Sequence, residues 1–92
     1  MQYIPIWDIA QPLAIIQAAV KDAAYRQKYR SFLERLRGAR REAGLTQIEV
    51  AHALRRPQSF VSKCESGERR VDVVELQEFA RLYCKSLTFF VG

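Results

Sequence analysis

Residues 46–67 read TQIEVAHALRRPQSFVSKCESG, and the start and stop signals in this stretch decide the fold. Thr46-Gln47-Ile48-Glu49 has the spacing of a capping box. In that motif the Thr46 hydroxyl accepts from the Glu49 amide while the Glu49 carboxylate reaches back to the Thr46 amide. A short helix is expected to follow, as far as Ala53 or Leu54. Arg55-Arg56-Pro57 then makes a turn, since proline suits the first turn of a new helix. The next helix runs from Gln58 to Glu65, and Gly67 ends it. Two short helices on a tight turn form a DNA-reading unit when the second fits a major groove. Close crossing needs a small residue in the first helix, and Ala51 supplies it. The inward apolar positions are Ile48 or Val50 with Leu54 in the first helix, and Val61 with Cys64 in the second. Gln58, Ser59, Ser62 and Lys63 then face outward. Glutamine can bond adenine N6 and N7 together, and serine can bond several base edges. Without a functional reading, the same pattern is a helical hairpin with a polar outer face.

Upstream, Tyr29, Phe32, Leu33, Leu36, Ala39 and Ala43 recur at helical spacing, and Gly44 supplies the stop. Before them Leu13, Ile16, Val20 and Ala23 keep the same period. Nothing breaks the chain between Leu13 and Gly38, so the two runs are either neighbouring helices or one long helix. Residues 1–12 carry Pro5 and Pro12 without a period, and Tyr3–Trp7 is expected to be extended because proline restricts its predecessor. Downstream, Asp72-Val73-Val74-Glu75 is a second capping box. It opens a helix to about Tyr83 with apolar Val74, Leu76, Phe79, Ala80, Leu82 and Tyr83. Ser86 caps a final turn through Phe89 and Phe90. No internal repeat and no convincing strand occurs, so the fold class is all-α.

Ninety-two residues, 49% of them hydrophobic, support one compact core rather than two domains. A charged share of 27% argues against wholesale disorder. No apolar run reaches the roughly 18 residues that a membrane-spanning helix needs. The N-terminus lacks the basic start and unbroken apolar stretch of a secretory signal, so a cytoplasmic protein with reduced thiols is expected. The net charge of +5 is unevenly spread. Residues 26–70 hold 12 basic and 5 acidic residues, a net of +7, while 1–25 and 71–92 are each −1. Such a local excess concentrates polyanions; a solvated helix face is the plainer explanation. Eleven of the 15 basic residues are Arg, which suits forked phosphate contacts.

Other chemistry finds little support. Cys64 and Cys84 lie twenty apart beside a lone histidine, His52, without metal-ligand spacing. Cys64 reads as a small core residue and His52 as a surface one. No nucleophile–base arrangement and no glycine-rich phosphate loop is present. Neither an enzyme nor a cofactor or metal is therefore expected. Phe60 admits two readings: an aromatic covered against the turn, or an apolar contact to a thymine methyl.

Three stretches together resemble the Cro/repressor-type helix–turn–helix domains, the XRE or lambda-repressor-like family. They are Leu36-Arg37-Gly38-Ala39-Arg40-Arg41-Glu42-Ala43-Gly44-Leu45-Thr46-Gln47, Pro57-Gln58-Ser59-Phe60-Val61-Ser62-Lys63 and Glu65-Ser66-Gly67-Glu68-Arg69-Arg70. The resemblance covers residues 33–90 and implies five helices, with the core at about 30–90. It implies that Gln47 touches a phosphate and braces the recognition helix. Gln58 and Ser59 would read bases, with Ser62 and Lys63 one turn further on. Ser66, Arg69 and Arg70 would follow the phosphates, joined by Thr46, Arg55 and Arg56 around the turns. Arg40 would pair with Glu65, tying the first helix to the third as scaffold. Two positions depart from the family pattern, which favours glycine where Arg55 and Cys84 stand. A non-glycine residue in left-handed geometry costs about 1 kcal/mol. Either Arg55 offsets that at a phosphate or the turn is reshaped.

The sequence thus divides into an N-terminal extension, 1–27, and a helix–turn–helix domain, 28–92. Seventeen of residues 1–25 are apolar, and the extension is expected to enlarge a homodimer interface. The reading that results is a homodimeric, sequence-specific regulator of double-stranded DNA, a repressor acting on its own promoter. Rival readings are the antitoxin of a toxin–antitoxin pair, with a toxin as protein partner, a restriction–modification controller, and an interaction adaptor with no DNA role.

Overall fold

The computed structural model describes the backbone from Gln11 to Gly92 and the side chains from Asp22 onward; the expected extended stretch Tyr3–Trp7 lies outside the described residues. Five helices follow one another: α1 (Gln11–Glu42), α2 (Gln47–Leu54), α3 (Gln58–Ser66), α4 (Val73–Tyr83) and α5 (Leu87–Val91). No strand occurs among the described residues. The two upstream helical runs form one helix, as the absence of any breaker before Gly38 allows. Gly38 has open space around it and does not interrupt α1.

Helix ends follow the local chemistry. Thr46 and Asp72 both form complete capping boxes, with Glu49 and Glu75 respectively. Pro57 sits one position earlier than the first-turn placement expected from sequence. It is the extended residue before α3, and Gln58 is the first helical one. Gly44 and Gly67 end α1 and α3 with positive φ of 73° and 84°. Arg55 and Cys84 occupy the same left-handed region, each with φ 56°. The turn after α2 is therefore not reshaped. Its carbonyls are satisfied as a glycine turn would satisfy them: the Arg56 amide donates to the Ala51 carbonyl at 2.9 Å, and the Lys85 amide to Ala80 at 2.9 Å.

The core gathers from all five helices. Leu36 and Ala39 of α1 meet Val50 and Ala51 of α2, Val61 and Cys64 of α3, Phe79 and Tyr83 of α4, and Phe90 of α5. Val50, not Ile48, is the inward residue of α2, and Ile48 stays exposed. Val74, read from sequence as part of the apolar face of α4, is also exposed, because at about 100° per residue it lies opposite the inward face formed by Glu75, Leu76, Phe79, Ala80 and Tyr83. Burial pushes the Cys64 thiol above its ordinary pKa, only partly opposed by the neighbouring Arg69 guanidinium. Ala51 is 3% exposed, so α2 and α3 cross with little side chain between them. Residues 22–28 of α1 are all exposed, and contact with the core begins at Tyr29.

Candidate nucleic-acid interface

The outward face of α3 is set by what its inward face buries. Phe60, Val61, Cys64 and Glu65 point into the protein, so Gln58, Ser59, Ser62, Lys63 and Ser66 are left exposed. Pro57 fixes the chain just ahead of Gln58, and the open α3 N-terminus presents amide donors that favour an anion. The face is polar, setting three serine hydroxyls beside a glutamine amide and a lysine ammonium, groups that can bond base edges and phosphates.

A buried carboxylate orients this face. Glu65 accepts from Arg40 Nε at 2.7 Å and Arg40 Nη2 at 3.1 Å. Its Oε1 also accepts from Gln47 Nε2 at 3.1 Å. Gln47 Oε1 in turn accepts from Gln58 Nε2 at 3.4 Å, a long and weak bond. Arg40 further donates to the Leu45 carbonyl at 2.9 Å, and Arg37 Nη1 to the Glu65 carbonyl at 2.6 Å. One carboxylate thus joins α1, α2 and α3 and reaches the side chain expected to read a base. Hydrogen bonding to Glu65 holds the Arg40 pKa above its ordinary value, with burial opposing. The nearby Tyr83 hydroxyl is buried and makes no hydrogen bond among the described residues. Burial, with the Glu65 charge, pushes its pKa up.

The structure brings together some expected contacts and commits others elsewhere. Gln58, Ser59, Ser62 and Lys63 share one open face. Phe60 does not join them, which corrects its place among the base-reading candidates. It is 8% exposed and stacks on Phe79 at 6.2 Å between centroids, with the Arg56 and Arg69 guanidiniums over its ring at 4.6 and 4.8 Å. A ring so covered cannot approach a base without unpacking the core. Arg69 donates through both Nη atoms to Glu75, at 2.8 and 2.7 Å, so its fork is already occupied. Arg70 stacks on Tyr25 and Tyr29 at 4.8 and 5.0 Å and donates to the Tyr25 hydroxyl. Thr46 uses its hydroxyl in the cap, at 3.1 Å from the Glu49 amide. Ser66 donates to the Lys63 carbonyl and accepts from the Glu68 amide. Arg55 and Lys63 remain exposed without a side-chain partner among the described residues.

The resemblance implied that Gln47 braces the recognition helix, and it does touch Gln58 there; sequence reasoning missed Arg37 and the Arg69–Glu75 and Arg70–tyrosine pairings. The first capping box and the Arg40–Glu65 pairing pointed toward the hub. No local signal marked the others, because their partners lie 6 to 45 positions away.

Among the described residues no group of acidic, histidine and cysteine side chains could hold a metal ion, and no helix is long and apolar enough to cross a membrane. Residues 31–86 match the family described as helix-turn-helix domain. A solved structure titled XRE-family like protein, from Pseudomonas syringae pv. tomato str. DC3000, is 42% identical. It superposes with a TM-score of 0.71 over 75% of this chain and 84% of that one. Among curated proteins none matches.

Proposed function

We propose that this chain, which belongs to the XRE-type helix–turn–helix family of DNA-binding regulators, is a homodimeric repressor that reads a near-palindromic operator through α3. The single observation that carries this reading is the exposed Gln58, Ser59, Ser62 and Lys63 face, held in register by the buried Glu65 hub. The buried ion pair holds Gln47, and Gln47 steadies the exposed Gln58 by a weaker bond. Gln58 contacts a base, with adenine the best match to its amide. Gln47 turns its remaining amide proton to a phosphate.

A two-fold dimer places two α3 helices in successive major grooves, roughly 34 Å apart. Two observations support self-association through the 1–27 extension and its surroundings. Seventeen of residues 1–25 are apolar, and the apolar Ala23, Ala24 and Tyr25 of α1 are left exposed. Beside them lies an apolar groove of about 490 Å³ lined by Tyr29, Phe32, Leu76, Phe90 and Val91. Repression follows by occlusion of polymerase at the occupied promoter.

The test is selection of duplexes from a random pool by the full chain, followed by titration of wild type and Gln58→Ala. The substitution should weaken the selected site by about 1–3 kcal/mol and relax preference at one base position. Equal loss on every sequence contradicts base reading. Sedimentation at the concentrations that saturate the site checks the dimer; a monomeric mass there contradicts it.

A further inference from the structure

The outward face of α3 does not end at its reading residues. It continues to Ser66, and Ser66 lines a groove whose other walls include Arg26, Arg30 and Arg37 of α1 and Arg70 of the loop before α4. On a helix turning 100° per residue, positions 26, 30 and 37 fall within about 40° of one another and span about 16 Å. The ion pairs among the described residues use Arg40, Arg69 and Lys85, and none uses these four arginines. Asp22 and Glu34 lie one turn away on α1 and pair with none of them. Arg37 gives one N–H to the Glu65 carbonyl, and Arg70 gives one to the Tyr25 hydroxyl. Each guanidinium has five N–H donors, so most remain open. Stacking on Tyr25 and Tyr29 fixes the plane of Arg70, whose Nη1 is held by the Tyr25 hydroxyl while its other donors stay open.

Four uncompensated cations along one groove repel each other, and an extended polyanion relieves that repulsion. The guanidinium fork matches phosphate geometry. We propose that Arg26, Arg30, Arg37 and Arg70 grip the phosphate backbone of DNA flanking the sequence read by α3. Continuity of the groove with the α3 face, through Ser66, selects this occupant over a free anion or an acidic protein. Duplex DNA carries a charge about every 1.7 Å of its axis, so a 16 Å track meets several phosphates. The stretch of α1 from Arg26 to Arg37 thereby lengthens the footprint without adding sequence preference. This inference rests on the reading that α3 binds DNA.

The experiment compares two duplexes carrying the same selected site, one ending at the site and one extended by about ten base pairs on each side. Affinity is measured across a salt series for full-length wild type and for the double variant R26Q/R30Q. Both positions are exposed on a helix and glutamine is a good helix former, so far-UV circular dichroism should be unchanged. For wild type, Arg26 and Arg30 should steepen the log affinity–log salt slope on the flanked duplex by about two per subunit, over and above a similar contribution from Arg37 and Arg70. The double variant should lack that increment, while on the short duplex, which lacks those phosphates, the two proteins should bind alike. An equal flank increment in both proteins overturns the proposal, as does equal loss on both duplexes. A change in solution mass instead of salt slope assigns the groove to a second copy and also overturns it. If wild type shows no sequence preference and Gln58→Ala has no effect, the reading of α3 itself fails. Selective binding that is indifferent to flanks sinks the groove alone.

Discussion

Two buried carboxylates, Glu65 and Glu75, each accept a forked arginine, yet they hold different things together. Glu65 is 2% exposed and its partner Arg40 only 13%. Glu75 is 8% exposed, but its partner Arg69 is 41% exposed. The Glu65 pair joins residues 25 apart and recruits Gln47 from a third helix. The Glu75 pair joins residues six apart, and Oε1 also accepts from the Asp72 amide within the capping box. The first fixes how three helices meet, while the second pins a loop to the helix it precedes. A solvent-reachable partner can be replaced by water, whereas a buried one cannot. The region around Glu65 should therefore fail as a unit and the region around Glu75 only locally.

The sharpest way to break this contrast is Arg40→Ala, which leaves Glu65 buried and unpaired. A loss of about 3–5 kcal/mol is expected in urea denaturation. The double variant Arg40→Met with Glu65→Met should be much less harmed, because no buried charge is stranded. If Arg40→Ala loses no more than a surface substitution, the hub is not what joins the helices. Any folded fraction of that variant should also bind the selected site poorly, since Gln47 loses its anchor.

Glu75→Gln comes next, at about 1.5–3 kcal/mol at neutral pH for a charged hydrogen bond lost. Its pH dependence is the better diagnostic. Arg69 and the Asp72 amide hold the Glu75 pKa below its ordinary 4.5. A depressed carboxylate contributes stability above its unfolded pKa and loses it as pH falls through the folded one. Wild type should thus lose melting temperature progressively below about pH 4.5, and Glu75→Gln should show a shallower fall. Parallel curves would assign the acid sensitivity elsewhere.

Two smaller effects probe the turns around these regions. Gly67→Ala adds a Cβ at 2.9 Å from Leu33 Cδ1 in a left-handed residue, so about 1–2 kcal/mol should be lost. Gly44→Ala meets nothing within 4 Å and isolates the backbone part alone. Equal losses at the two glycines would show that Leu33 yields freely. Arg55→Gly should gain about 0.5–1 kcal/mol, the left-handed penalty less the entropy cost of glycine. If Arg55 also meets a phosphate, the same variant should bind DNA more weakly at low salt while melting higher.

Much of the site was legible in the chain because its signals are local. Capping boxes at Thr46 and Asp72 need partners only three residues away. The α3 outer face follows from which positions are apolar, and Gly67 marks its end. Phe60 was ambiguous for a clear reason: its neighbours on α3 face opposite ways, and the Phe79 ring that covers it lies nineteen positions on. The basic residues were the least legible. Charge alone made Arg69, Arg70 and Arg37 equivalent, whereas each has a different partner in the fold.

The amino-acid sequence by itself determined where helices α2 to α5 begin and end, which face of α3 is polar, and that Arg55 and Cys84 stand where glycine is easier. Those properties depend on backbone hydrogen bonding and steric limits within a few residues. Only the tertiary structure decided which arginines are scaffold and which are open to an anion. A guanidinium stands at the end of a long flexible stem, so its partner is chosen by whatever helix packing brings within its reach. That choice involves residues up to 45 positions apart, and no local pattern encodes it.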